Sequence, residues 1–216
     1  MTYLTKIQEV PVDGVNHWVW PRNDKGLWLG PGQEWPKHKE KILELCTSFN
    51  TAVQAGGGCG MYPKLMSKIF HKVYTFEPDH YNFYCLAQNC VEDNIYKFNS
   101  ALGDRHRNVT FHPPTEDNRG VGVTTSPGND NKPDWAGNVP VLRIDDFVYE
   151  KLDLIYLDIE GAEKSALYGA MNSIRLHKPV IVCENGHNGI FEMLKDYGYI
   201  VVDVVGSDTF FKCNSL

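Results

Sequence analysis

Several things are missing from this chain of 216 residues. No apolar run approaches the roughly 20 residues that cross a bilayer. Residues 1–10 do not run from charged to apolar as a secretory leader does. These absences argue against a membrane partner and for a cytoplasmic location. The six cysteines are Cys46, Cys59, Cys85, Cys90, Cys183 and Cys213, and no two stand in Cys-x-x-Cys spacing. Several fall inside apolar runs, so they read as buried thiols in a reducing compartment, with neither a disulfide framework nor a zinc site. Positive charge is scarce: 21 Lys and Arg face 27 Asp and Glu, a net charge of −6. A broad nucleic-acid surface needs clustered cations. Nucleic acid is therefore not an expected partner, and only a small basic groove is left open.

What is present is an ordinary globular composition, 42% hydrophobic and 22% charged, on a chain long enough for one domain with a substantial core. The first 36 residues are rich in aromatics and read as irregular. Trp18, Trp20, Trp28 and Trp35 are expected to pack onto the domain body rather than stack on a ligand. Pro36 sets the start of a helix over 37–49, with Ile42, Leu45 and Cys46 on one face. Strands and helices then alternate. Strands are expected at 51–55, 72–76, 97–102, 154–157 and 179–183; helices at 61–70, 81–91, 162–174 and 189–197. A hairpin closes the chain, 199–205 and 209–213 around Gly206-Ser207-Asp208.

Such alternation implies an α/β, Rossmann-like three-layer sandwich whose mostly parallel sheet is covered on both faces. The closing hairpin adds an antiparallel strand. The expected organisation is a single domain over 1–216: an aromatic-rich N-terminal extension and helix at 1–50, then a core at 51–216. Residues 103–138 interrupt the core with Pro, Gly, Asp and Asn. Short strands fit at 108–111 and 121–125, and the segment is either a substrate wall or an edge hairpin.

The most informative stretch is Val53-Gln54-Ala55-Gly56-Gly57-Gly58-Cys59-Gly60, a strand running into a glycine turn that opens a helix. Glycine lets a ligand approach the main chain closely. Glu77 follows about twenty residues later at the end of the next strand, where a carboxylate can accept hydrogen bonds from ribose hydroxyls. The pair points to a nucleoside-containing cofactor. The competing reading makes Glu77 a cap for the next helix, which Glu77-Pro78-Asp79 also permits. Nicotinamide fits poorly, because no Tyr lies four residues before a Lys, the pair that short-chain dehydrogenases use. A hydrolase triad has no support without a Gly-x-Ser-x-Gly elbow. S-adenosylmethionine fits better: it offers ribose hydroxyls and carries no pyrophosphate.

Three further segments narrow the choice. They are Leu86-Ala87-Gln88-Asn89 with Asn94 and Asn99-Ser100-Ala101-Leu102-Gly103-Asp104; Val141-Leu142-Arg143-Ile144-Asp145-Asp146; and Leu154-Ile155-Tyr156-Leu157-Asp158-Ile159-Glu160-Gly161-Ala162-Glu163. In this order, from Thr51 onward, the chain resembles the FkbM family of S-adenosylmethionine-dependent methyltransferases. The resemblance implies a class I methyltransferase fold and methylation of a hydroxyl on a sugar, glycan or small natural product. It implies cofactor contacts from Gln54, Gly56, Gly57, Gly58, Tyr62, Glu77, Pro78, Ser100, Ala101, Leu102 and Asp158. Gly56 to Gly60 then border the methionine half, Glu77 the ribose and Ser100 to Leu102 the adenine. The family usually has Asp where Gln54 stands, and Gln54 carries no charge to meet an ammonium. The alternative function is therefore a degenerate, nucleoside-binding module on the same fold.

An alcohol acceptor must lose a proton as the methyl group arrives. The groups at the strand ends are Asp158, Glu160 and Glu163, then Glu184 and His187. His187 is the preferred base, since imidazole titrates near neutral pH. Asp158, Glu160 and Glu184 are the other catalytic candidates, and Glu163 fits a helix cap. The same carboxylates are hard ligands suited to Mg²⁺ or Ca²⁺, although an acidic acceptor pocket without metal is favoured. A homodimer is compatible with this fold.

Overall fold

The computed structural model describes residues 4–25, 30–112, 122–125, 137–184, 186 and 189–214. The elements run β1 (Thr5–Val12), β2 (Val15–Pro21), α1 (Gly30–Leu45), β3 (Thr51–Ala55), α2 (Met61–Met66), β4 (Lys72–Phe76) and α3 (His80–Asn89). They continue with β5 (Ile95–Phe98), β6 (Ala101–Leu102), β7 (Arg107–His112), β8 (Val123–Thr125), β9 (Gly137–Leu142) and β10 (Leu154–Leu157). The remainder are α4 (Glu163–Tyr168), α5 (Met171–His177), β11 (Val180–Glu184), α6 (Ile190–Leu194), β12 (Tyr199–Val205) and β13 (Asp208–Cys213).

Seven strands form the main sheet in the order β12-β13-β11-β10-β3-β4-β5. The pairs β11–β10, β10–β3, β3–β4 and β4–β5 are parallel, while β13 is antiparallel to both β11 and β12. Successive residues of a strand face opposite sides, and both sides are apolar here. Leu154 and Tyr156 join Trp35, Ile42, Leu65 and Leu86 beneath α1–α3. Ile155 and Leu157 join Ala166, Leu167, Ile174 and Leu194 beneath α4–α6. Each such aliphatic side chain contributes about 1.5–3 kcal/mol by leaving water. The three-layer α/β sandwich with an antiparallel C-terminal strand is thus present. Between β10 and β3 the strand order reverses, and in open α/β sheets ligands lie at that switch point, beyond the carboxyl ends of the strands.

Several elements differ from expectation. The leader is a β-hairpin, not irregular chain: Asp13 (φ 47°) and Gly14 (φ 82°) make the tight turn between β1 and β2. Asp-Gly between apolar-bearing segments is a hairpin signal. Trp18, Trp20 and Trp35 are fully buried, as packing anchors; Trp28 lies outside the described residues. Helix α1 starts at Gly30 and carries Pro36 within it. The expected strand at 97–102 divides between β5 of the main sheet and β6 of a second, four-stranded sheet, β6-β9-β7-β8. Within 103–138, β7 and β8 appear where short strands were expected, and β9 extends the segment's role in that sheet. The expected helix at 162–174 is broken into α4 and α5. A Cβ on Gly169 would stand 2.0 Å from the Gly103 carbonyl oxygen, and Asp145 caps the new start by accepting from the Asn172 and Ser173 amides at 3.0 and 2.8 Å.

Candidate functional site

A cleft opens at the carboxyl ends of β3, β4 and β10. Its floor comes from Ala55, Gly56, Phe76, Glu77 and Pro78; Ser100 to Leu102 form one end, and Asp158 to Glu160 with Ala162 form the other. Phe111 and Gly122 close a side, so the 103–138 segment does supply a wall. Residues 113–121 and 126–136 lie outside the described residues.

The glycine turn is tight because two strand ends converge there. The Gly56 and Gly57 amides both donate to the Phe76 carbonyl, at 3.1 and 3.0 Å. Gly56 has φ 79°, and a Cβ on it would lie 1.9 Å from the Asp158 carbonyl oxygen. Only glycine fits such a left-handed, crowded position without strain. Gln54 is buried and directed into the turn itself. Its Nε2 donates to the Gly56 carbonyl at 2.9 Å and the Ala55 carbonyl at 3.2 Å, while Oε1 accepts from Thr75 Oγ1 at 2.6 Å. The Glu77 carboxylate is buried beneath the turn. One oxygen accepts from the Gly58 amide at 2.6 Å, the other from the Asp79 amide at 2.8 Å. Each carboxylate oxygen can accept a second bond. The cap of α3 is Asp79, which accepts from the Tyr81 and Asn82 amides.

Of the expected cofactor contacts, Gly56, Glu77, Pro78, Ser100, Ala101, Leu102 and Asp158 line the cleft together. Gln54, Gly57, Gly58 and Tyr62 are not among its lining residues. Gly57 is buried behind the turn, where a Cβ would meet Leu86 at 2.6 Å. Tyr62 packs on Tyr156 and Trp35, with its hydroxyl 3.2 Å from His38 Nδ1. Ser100 is buried, and its Oγ has no hydrogen-bond partner among the described residues. A buried hydroxyl beside a cleft, without a protein partner among the described residues, suits a polar ligand atom.

The other side of the cleft is a cluster of carboxyls. Asp158, Glu160 and Glu184 present oxygens within 4.8 Å of one another, a spacing that could hold an oxygen-ligated cation. Burial and the neighbouring Glu184 charge push the Asp158 carboxyl well above the usual range, with Asp208 and Glu160 adding to the effect. Glu184 is raised as well, chiefly by burial, and shares a hydrogen bond with Asp158. Two adjacent carboxyls cannot both ionise cheaply, which is the physical cause of the upward direction at both. Glu160 is raised by burial and by Glu184, and sits at φ 52° just before Gly161. Glu163 has the bland role: its Oε1 accepts from the Ile159 and Gly161 amides at 3.0 and 3.2 Å. His187 lies outside the described residues.

Behind the carboxyls stands a buried group that the sequence did not single out. His38 of α1 places Nε2 2.9 Å from Asp208 Oδ2, and Tyr156 donates its hydroxyl to the same oxygen. Asp208 pairs in register with Glu184, and its Oδ1 has no partner among the described residues. A polar residue opening the apolar run of β13 was the available signal for Asp208. His38 offered none.

The profile of the Methyltransferase FkbM domain matches residues 64–201, more than half of the chain. The chain belongs to the FkbM methyltransferase family. The family's cofactor is S-adenosylmethionine. Methyltransferase FkbM from Methylobacillus flagellatus KT superposes with a TM-score of 0.52 at 19% identity, over 76% of this chain and 43% of that one. This chain therefore spans under half the length of that structure. An rRNA-methylase candidate from Clostridium thermocellum gives 0.50 at 10% identity, over 82% of this chain and 93% of that one. At these identities the two show the class I fold alone. M. jannaschii TYW2, solved in complex with AdoMet, gives 0.48 at 13% identity over 99% of this chain and 88% of that one. No curated protein matches the chain. Among the described residues no helix is long and apolar enough to cross a membrane.

Proposed function

We propose that this protein is an S-adenosylmethionine-dependent O-methyltransferase acting on a hydroxyl of a sugar, glycan or small natural product. The domain organisation that goes with this reading is one methyltransferase domain over 1–216, with 51–216 as its core. The observation that carries it is the cleft itself, in which buried Glu77 and Ser100, whose Oγ has no partner among the described residues, line one half while Asp158, hydrogen-bonded to Glu184, and Glu160 line the other. Glu77 and Ser100 fit the ribose and adenine, and Gly56 keeps the turn low enough for close approach.

Bound S-adenosylmethionine supplies an electrophilic methyl carbon on a sulfonium. What the chain must then do is align an acceptor oxygen and take its proton. Burial and mutual repulsion raise the affinity of the ionised pair for its first proton, while a second proton on the pair is disfavoured, so the pair serves as a base from its ionised form, before a proton is shared. Asp158 with Glu184 thus takes the base role first sought at His187, and Glu160 borders the acceptor. The acidic character of the site also disfavours a polyanionic acceptor such as RNA.

The test is S-adenosylhomocysteine production by the purified protein across a panel of polyols, glycans and phenols, with RNA as a further arm. Turnover on a hydroxyl acceptor, reduced about 10²-fold in Glu184→Gln with the cofactor affinity kept, is the expected result. Turnover on RNA alone would overturn the acceptor class. Tight S-adenosylhomocysteine binding with no turnover on any acceptor would leave the binding module.

A further inference from the structure

Residues 1–25 lie outside the stretch matched by the family profile, 64–201. Yet the β1–β2 hairpin within them is hydrogen-bonded to the rest of the domain, at Asp13 by Trp35 and Lys39 and at Val19 by the side chain of Asn89. Asn89, the last residue of α3, is buried. Its Oδ1 accepts from the Val19 amide at 2.7 Å, and its Nδ2 donates to the Val19 carbonyl at 2.8 Å. The side-chain amide therefore pairs with β2 as a neighbouring strand residue would. The second Nδ2 hydrogen reaches the carbonyl of Cys59, in the glycine turn, at 2.7 Å. The Asn89 carbonyl in turn accepts from Lys64 Nζ of α2 at 2.8 Å.

Each of these partners constrains the next. The two bonds to Val19 fix the amide's orientation, so that Nδ2, not Oδ1, faces the Cys59 carbonyl. Cys59 is fully buried, and its carbonyl has no access to water as a substitute. The turn around it has little room to adjust. A Cβ on Gly60 would meet Cys90 Sγ at 2.7 Å, and the Gly60 amide closes the turn on the Gly57 carbonyl at 2.8 Å. Gly58, next to Cys59, donates to Glu77 at 2.6 Å. A path of direct hydrogen bonds thus runs from the hairpin to the turn that carries the cleft's floor.

We propose that Asn89 is a positioning residue for the cofactor turn, and that docking of the β1–β2 hairpin through Val19 sets the affinity for the cofactor. The proposal rests on the reading that the nucleoside cofactor occupies this cleft. Val19 offers both backbone groups to Asn89, so its bonds lie on the outer edge of the hairpin, away from β1. Proline is tolerated at such edge positions. Val19→Pro therefore removes one donor to Asn89 without disturbing the β1–β2 ladder. Asn89→Asp keeps the shape and loses both donated bonds.

The experiment is calorimetry of the 216-residue chain with S-adenosylhomocysteine at about 10 °C, well below the usual unfolding range of a domain, on the wild type and both variants. A rise of about tenfold in Kd is expected for Asn89→Asp, and a smaller rise in the same direction for Val19→Pro. A purely structural role would lower the melting temperature and leave the 10 °C affinity alone. Kd values within twofold of wild type in the folded variants would overturn the coupling. Hydrogen exchange on the wild type serves if either variant fails to fold. Coupling is reciprocal, so saturating S-adenosylhomocysteine must slow exchange of the Val19 amide several-fold, and an unchanged rate also overturns it. No binding by the wild type removes the cofactor placement, whereas binding without any effect of the variants removes the coupling alone.

Discussion

The two halves of the cleft handle negative charge in opposite ways. On the β3–β4 side the one carboxylate, Glu77, is met by backbone amides of Gly58 and Asp79. On the β10–β11–β13 side, Asp158, Glu160 and Glu184 meet one another, with Asp208 behind them. The first arrangement is satisfied before any ligand arrives, so it acts as a rigid mould. The second sets Asp158, Glu160 and Glu184 above the ordinary carboxylate range through burial and mutual repulsion, which is how a site holds a group ready to exchange a proton. An amide-lined half and an acidic half can be told apart by the partners of their acids alone.

The sharpest way to break this contrast is to deform the mould. Gly56→Ala places a methyl group 1.9 Å from the Asp158 carbonyl oxygen at a left-handed residue. It is expected to cost about 3 kcal/mol or more and to abolish S-adenosylhomocysteine binding, measured by thermal melts and calorimetry. Gln54→Asp tests whether the turn wants a charge. The shorter carboxylate would confront the Ala55 and Gly56 carbonyls that Gln54 now serves as donor. A loss of about 1–3 kcal/mol and no tightening of cofactor affinity are expected; tighter binding without activity would favour the degenerate module. The smallest effect, and opposite in sign, belongs to Asp158→Asn. Because Asp158 is raised in the folded protein by burial and Glu184, its contribution to stability is fully present below the unfolded value near pH 4 and is lost as pH rises through the folded value. Removing the charge should stabilise the protein at pH 8 by about 1 kcal/mol, a melting shift of about 2–4 °C, and do little at pH 4. Equal shifts at both pH values would refute a raised Asp158 carboxyl.

Legibility followed the same division. The mould was readable because its signals are local: glycine for close approach, a carboxylate at the end of the adjacent strand, and strands β3, β4 and β10 found at the residues their apolar runs marked. Segments quoted for the family resemblance hold structural posts as well. Asn94 donates to the Ser67 and Phe70 carbonyls, and Asn99 to that of Glu77. The acidic half was readable residue by residue but not as an assembly. Nothing in one dimension says that Asp158 and Glu184 share a hydrogen bond, or that His38, 170 positions from Asp208 along the chain, sits against it. The inward-facing contacts of Gln54 and Tyr62 were not legible, because a strand or helix residue beside a site can turn its side chain toward the turn or the core. Helix α4–α5 was read as one because its break lies at Gly169, where the Gly103 carbonyl leaves no room for a side chain, a contact from 66 positions away that the local pattern does not carry.

The hairpin brings a last consequence, an optical one. Trp18 and Trp20 lie on β2, on either side of Val19, and both are removed from solvent. Trp20 holds Asp24 through its indole nitrogen at 3.0 Å, and Trp18 holds the Val10 carbonyl at 2.9 Å. Two of the five indoles in the chain therefore flank the Asn89 contact. Detachment of the hairpin would expose them to water while the parallel sheet stayed intact, so the colour of the protein's own fluorescence carries a record of whether that strand is in place.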